Sequence, residues 1–201
     1  MIQVIDYGAG NLRSVVRALQ RLGVATRVVK FAADFDGQCP TILPGVGAAA
    51  SAMHALQSNG VGSLLTTTRA PLLGICLGMQ LQGTHSEEGD VATLGMLSGT
   101  VCRLQHVPKI PHMGWNTVQC SNDGHPLFAH ISADTHFYFA HSYAVVLSNA
   151  DSLIATTHYG PQHIVAAWGN SHCVGVQFHP EKSGDAGMQL LRNFCAWAGE
   201  T

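Results

Sequence analysis

The sequence predicts an α/β fold: a mostly parallel central sheet with helices on both faces, plus an antiparallel portion. Three observations predict it. Short apolar runs alternate with stretches of helical spacing in the first half, which implies parallel strands joined by right-handed crossovers. Those runs are near-continuously apolar, as strands covered on both faces are. In the second half, candidate strands follow one another with no helix between them, the pattern of hairpins.

The elements follow in order. Residues 2–5 form an apolar run that ends in the turn-rich stretch Asp6-Tyr7-Gly8-Ala9-Gly10-Asn11. Val15, Val16, Leu19 and Leu22 then recur at helical spacing, and Gly23 closes that helix. Residues 24–29 read as a second strand and 41–43 as a third, broken by Pro44-Gly45-Val46-Gly47. Residues 48–56 are helical, 71–75 are a fourth strand, and a helix starts at 77–81. The polar, Gly-rich stretch 82–95 is expected to be a loop. Further strands are expected at 100–104, 115–119, 137–139, 143–147, 153–157, 164–168 and 174–178. Residues 186–197 form a terminal helix with Met188, Leu191, Phe194 and Cys195 on one face.

A chain of 201 residues suits one domain, here residues 1–201. It can bury roughly 70% of its unfolded surface and needs no staples to fold. Net charge is −2 with no long basic run, so nothing supports nucleic-acid or membrane-surface binding. The N-terminus lacks a signal-peptide pattern, and no apolar stretch approaches the roughly 20 residues of a membrane span. A cytoplasmic protein is expected. The six cysteines form no Cys-x-x-Cys pair, and the twelve histidines form no zinc-binding motif, so no metal and no cofactor is expected.

Gly74-Ile75-Cys76-Leu77-Gly78 sets a cysteine between two glycines where a strand feeds a helix. That is the pattern of a nucleophile elbow, whose sharp turn lifts the side chain out at the carboxyl end of the strand. The following helix N-terminus favours a thiolate. An arbitrary cysteine is more often a buried core residue; the bracketing glycines and the strand-to-helix placement argue against that here. A thiol needs a base, and the base needs a group that fixes its tautomer. Val176-Gln177-Phe178-His179-Pro180-Glu181 supplies both, His179 as base and Glu181 as its orienter. The N–H of Leu77, just after the nucleophile, is a candidate oxyanion donor.

The stretch from Pro71 to Gln80, together with Gln177-Phe178-His179-Pro180-Glu181, resembles the signature pair of class I glutamine amidotransferases. Within that class the chain is similar to the glutaminase subunits of imidazole glycerol phosphate synthases, in histidine biosynthesis. The residues responsible are the 6–15 stretch, Leu43 to Gly47, Ser86-Glu87-Glu88-Gly89, Pro111-His112-Met113-Gly114-Trp115-Asn116 and His141-Ser142-Tyr143. They spread over essentially the whole chain. The chain departs at Gln82-Gly83-Thr84-His85, where an aromatic and an acidic residue are often found, which puts the loop geometry near the substrate in question.

The resemblance implies a flavodoxin-like fold and hydrolysis of L-glutamine through a Cys76 thioester. It implies that Val46 and Gly47 join Leu77 in an oxyanion hole, and that Gln80 and Glu87 hold the amino-acid end of glutamine, helped by the backbone around His141, Ser142 and Tyr143. It also implies a heterodimer with a (β/α)8-barrel cyclase that receives the ammonia, and a partner ligand that completes the oxyanion hole. His112, Met113, Trp115, Tyr138 and Lys182 are the candidates for the face toward that cyclase. Three rivals stand beside this reading. A glutaminase subunit of another synthase, such as one making pyridoxal phosphate, would lack the Pro-His-Met-Gly-Trp-Asn and Asp-Tyr-Gly-x-Gly-Asn stretches. A non-catalytic glutamine-binding regulator would lose a triad member. A cysteine-dependent chaperone or protease would not need the His-Pro-Glu order.

Overall fold

The computed structural model describes residues 1–8, 10–120 and 124–199, so Ala9 of the opening motif lies outside the described residues. The chain opens with β1 (Ile2–Ile5), α1 (Leu12–Arg21), β2 (Thr26–Val29) and β3 (Thr41–Leu43). Two helices follow, α2 (Ala49–Ser58) and α3 (Val61–Thr67), and then β4 (Leu72–Ile75) runs into α4 (Leu77–Gln80). Two short strands, β5 (His85–Ser86) and β6 (Val91–Ala92), precede β7 (Gly99–Arg103), β8 (His112–Thr117) and β9 (Gln119–Cys120). The last part comprises β10 (His136–His141), β11 (Tyr143–Leu147), β12 (Leu153–Tyr159), β13 (Gln162–Gly169), β14 (Cys173–Val176) and α5 (Gly184–Trp197).

Eight strands make the central sheet, in the order β2-β1-β3-β4-β14-β13-β12-β9. Pairing from β2 to β14 is parallel, and from β14 to β9 antiparallel. β8 and β10 form an antiparallel pair, and β11-β7-β5-β6 a third sheet. The predicted architecture, parallel with an antiparallel portion, is the one observed.

Residues of β1, β3, β4 and β14 are buried without exception, as expected for strands covered on both faces. On one face Val15 and Leu19 of α1 join Leu190, Leu191 and Phe194 of α5, with Phe137 and Phe139 of β10. On the other, Ala52, Met53 and Leu56 of α2 and Leu65 of α3 join Val101, Val145 and Trp168. α1 buries Val15, Ala18 and Leu19 and turns Arg13, Arg17 and Arg21 to solvent, the two-sided pattern that holds a surface helix to its sheet.

Several local expectations are corrected. The helix after Cys76 is one turn long, and Gln82 beyond it is buried, its side chain donating to the Val174 carbonyl at 2.8 Å. The stretch 82–95 is not all loop, because β5 and β6 add strands to the β7 edge. α3, which the sequence pattern did not mark, carries buried Val61 and Leu65 within only seven residues, too few to show a helical period.

The close fit at the start of α4 depends on Gly78. A Cβ there would fall on the carbonyl oxygen of Leu43 in β3. Gly78→Ala is expected to destabilise the protein by about 1–3 kcal/mol through this overpacking. A urea midpoint equal to that of the native protein would contradict the packing.

Candidate active site

Cys76 stands between β4 and α4 with φ 54° and ψ −108°, a strained conformation for a residue with a Cβ. Its own N–H donates to the Val176 carbonyl at 2.8 Å, so the elbow is tied to the neighbouring parallel strand. β14 pairs with β4 with Val176 opposite Ile75, and His179 follows three residues later. Two adjacent strand ends thus bring residues 76 and 179 together.

His179 Nδ1 lies 2.8 Å from Glu181 Oε1, with the two side chains 1% and 0% exposed. A turn over Pro180–Lys182 aims the carboxylate back at the ring. The same Oε1 accepts from Asn11 Nδ2 at 3.1 Å. Sequence reading missed Asn11 as an individual contributor, although the opening motif contains it.

Burial is the largest single influence on His179 and pushes its pKa down. Hydrogen bonding to Cys76 and Glu181, and the negative charge on both, outweigh it and raise the pKa to about 10. The His179 ring stands within hydrogen-bonding reach of the Cys76 sulfur. With α4 only one turn long, the helix dipole expected behind Cys76 is small. Other cysteines are in different surroundings: Cys173 lies within β14, where burial pushes its thiol up to about 12.

Cys76 opens on a cavity of about 270 Å³, bounded on one side by Val46, Gly47 and Leu77. That falls just below the roughly 300–1,000 Å³ of drug-sized pockets and suits a small ligand. The oxyanion candidates meet here, but the Leu77 N–H points at the Gly45 carbonyl oxygen, 3.4 Å away. An oxyanion would have to displace that carbonyl to use the donor. Gly45 must be glycine, since a Cβ would run into the Tyr7 hydroxyl.

Gln80, Ser142 and Tyr143 also line the cavity. The Gln80 Nε2 is committed to the Tyr143 carbonyl at 2.8 Å and to Gln177 Oε1 at 2.9 Å. Glu87 does not reach the cavity. It is exposed, its carboxylate accepts the Arg103 N–H at 2.7 Å, and the residue that lines the cavity is Glu88. Glu87 and Glu88 lie in the turn that follows β5, where the Glu87 N–H donates to the Val101 carbonyl and the Asp90 N–H to the Glu87 carbonyl. Glu88 Oε2 accepts the Ala49 N–H at the start of α2, 2.9 Å away.

His141 borders the cavity, yet both its nitrogens are engaged within the protein, with His112 at 2.9 Å and the Tyr143 carbonyl at 2.8 Å. Its ring is therefore not a free substrate contact. His112 is also placed differently from expectation: it is 3% exposed and faces inward. Along β8 the alternate residues Met113 and Trp115 are exposed, at 63% and 57%. Tyr138 of β10 pairs with Trp115, and the Lys182 Nζ stands 5.9 Å from the Tyr138 ring centre. Met113 belongs both to this aromatic patch and to the cavity rim. Among the described residues no group of three or more His, Cys, Asp or Glu is placed to hold a metal, and no helix is long and apolar enough to cross a membrane.

The family model for class-I glutamine amidotransferases matches residues 3–197. The chain belongs to the class-I glutamine amidotransferase family. It is 45% identical over 192 residues to the imidazole glycerol phosphate synthase subunit HisH of Mannheimia succiniciproducens, covering 95% of this chain and 97% of that one. It is 44% identical over 208 residues to the protein of the same name from Chloroflexus aurantiacus, covering 98% and 96%. Among solved structures, a glutamine amidotransferase superposes with a TM-score of 0.73 at 20% identity, covering 98% of each chain. PurLQS from Thermotoga maritima superposes with a TM-score of 0.71 at 17% identity, covering 98% and 97%. At those identities the structural likeness speaks for the amidotransferase fold alone.

His179 keeps its proton in the folded state to a higher pH than in the unfolded chain. Its stabilising contribution is complete below its unfolded pKa of about 6.5. It fades as pH climbs through the folded value of about 10. The loss of thermal stability caused by Glu181→Gln is accordingly expected to be larger at neutral pH than above the folded value. Melting curves of both proteins across that window check it, and a pH-independent difference would contradict the ion pair.

Proposed function

We propose that this amidotransferase is the glutaminase subunit of an imidazole glycerol phosphate synthase, working in the cytoplasm with a (β/α)8-barrel cyclase. The observation that carries the reading is the Cys76 elbow beside the buried His179–Glu181 pair, at the floor of a small cavity. Relatives about 45% identical over nearly the whole chain carry that synthase subunit's name.

In this reading glutamine enters the cavity with its side-chain amide at Cys76. Gln80, through its remaining amide oxygen, and Glu88 are the groups suited to its ammonium end. The sulfur forms a bond to the amide carbon, and the carbonyl oxygen takes the negative charge. Each well-aimed oxyanion donor contributes about 3–4 kcal/mol. His179 gives its proton to the departing nitrogen, the C–N bond breaks, and ammonia leaves a glutamyl thioester. Water then attacks the thioester, His179 accepts its proton, and glutamate is released with the thiol restored. Glu181 holds the ring in the required tautomer throughout.

The Leu77 donor faces Gly45 in the chain alone. Partner binding would shift the population toward a form in which the 44–47 stretch has turned and the donor is free. Ammonia protonated in bulk water is no longer a nucleophile, so direct delivery to the cyclase serves the synthesis. The exposed Met113–Trp115 face at the cavity rim is the part of the surface suited to receive the cyclase.

Cys76→Ala is expected to abolish ammonia release from glutamine in the complex while sparing cyclase synthesis driven by added ammonium salt. Retained glutamine turnover would remove Cys76 from the mechanism. Trp115→Ala is expected to weaken heterodimer affinity by about tenfold or more, as for an interface anchor, with little change in the melting temperature of the free subunit. Unchanged affinity in a titration would move the interface elsewhere.

A further inference from the structure

The cavity wall that carries Tyr143 is held by hydrogen bonds whose direction can be worked out atom by atom. Asn116 Nδ2 donates to the His158 carbonyl at 2.7 Å while its Oδ1 accepts the Thr117 N–H at 2.8 Å, which fixes the amide's orientation. The same Nδ2 stands 3.2 Å from His112 Nε2, which must accept. His112 therefore carries its proton on Nδ1, 2.9 Å from His141 Nε2. At the other end, His141 Nδ1 stands 2.8 Å from the Tyr143 carbonyl oxygen, which can only accept. That puts the His141 proton on Nδ1 and leaves its Nε2 bare toward His112. Both ends of the chain of bonds thus demand the same tautomer for both rings.

We propose that Asn116, His112 and His141 are positioning residues, a one-directional relay of neutral groups that pins the Tyr143 carbonyl and so shapes the cavity for glutamine. The inference rests on the glutaminase reading. The pinned carbonyl also accepts from Gln80 Nε2 at 2.8 Å, Gln80 Nε2 meets Gln177 Oε1 at 2.9 Å, and Gln177 Nε2 stands 3.8 Å from the Cys76 sulfur. A continuous polar path therefore runs from β8 to the nucleophile. Packing holds the relay in place: the His112 ring is stacked on Phe139 and on Tyr159, with centroids 4.7 and 4.0 Å away. Burial keeps both rings neutral, pushing His141 down to about 3 and His112 to about 4. A second proton on either ring would set donor against donor.

Two variants separate the hydrogen bond from the ring's bulk. His112→Asn keeps a donor where Nδ1 stands, His112→Leu does not, and both lose the stacking. In the complex with the cyclase and its nucleotide ligand, His112→Leu is expected to raise the glutamine KM about tenfold, the scale of one lost hydrogen bond, with a smaller change in kcat. His112→Asn is expected to recover most of that loss. Equal KM values in the two variants, or a KM unchanged in His112→Leu, would overturn the relay. A second measurement needs no variant to fold. Nitrogen NMR of the native protein labelled in histidine is expected to show rings 112 and 141 neutral, protonated on Nδ1 and bare on Nε2 near neutral pH. A cationic ring or an Nε2–H tautomer at either position would overturn it. The two failures are distinguishable: a native complex that hydrolyses no glutamine fails the glutaminase reading and leaves those nitrogen signals as they are.

Discussion

The parallel pairing of β4 with β14 is the constraint on which the rest of the structure depends. It sets Ile75 beside Val176, so the chain turns out of the sheet at Cys76 and at His179 from neighbouring strand ends. About a hundred residues separate the two in sequence, and register alone joins them. A shift of one residue would turn every side chain of the strand to the opposite face. The register sets Gly74 opposite Gly175, and a Cβ at either position would run into atoms of residues 78–82.

The site built on this pairing is not arranged for maximal stability. A buried ion pair must overcome the desolvation of both charges, and such pairs are often no better than a well-packed apolar substitute. His179 and Glu181 are buried together with their hydrogen bond, and Cys76 is held in a strained turn. Strain and buried charge of this kind cluster at reactive sites. The oxyanion side is different in character. There one backbone donor is already bonded, at 3.4 Å, to a carbonyl of the opposite loop.

The sheet class and the meeting of residues 76, 179 and 181 were legible because their signals are short runs and motifs. Near-continuous apolar runs marked the central strands, and the glycines around Cys76 marked the tight approach that Gly78 makes to Leu43. The failures have different origins. A period-two pattern tells which residues share a face, but not which face is inward. His112 was set on the outer face where β8 turns it inward, and Glu87 was named by resemblance where the turn after β5 gives the cavity to Glu88. Met113 and Trp115, on the other phase of the same strand, are outside as expected. Asn11 and Gln177 could not be singled out, since their partners lie about a hundred or more residues away and depend on the finished packing.

The central claim is that the Cys76 sulfur, made nucleophilic by His179, becomes acylated by the side chain of glutamine. Acid quenching of the cyclase complex during turnover of radiolabelled glutamine, followed by peptide mapping, tests it most directly. The account predicts label bound covalently to the peptide containing Cys76, released by hydroxylamine as a thioester is. Turnover with no covalent label under rapid quenching, or label on a different residue, would contradict it.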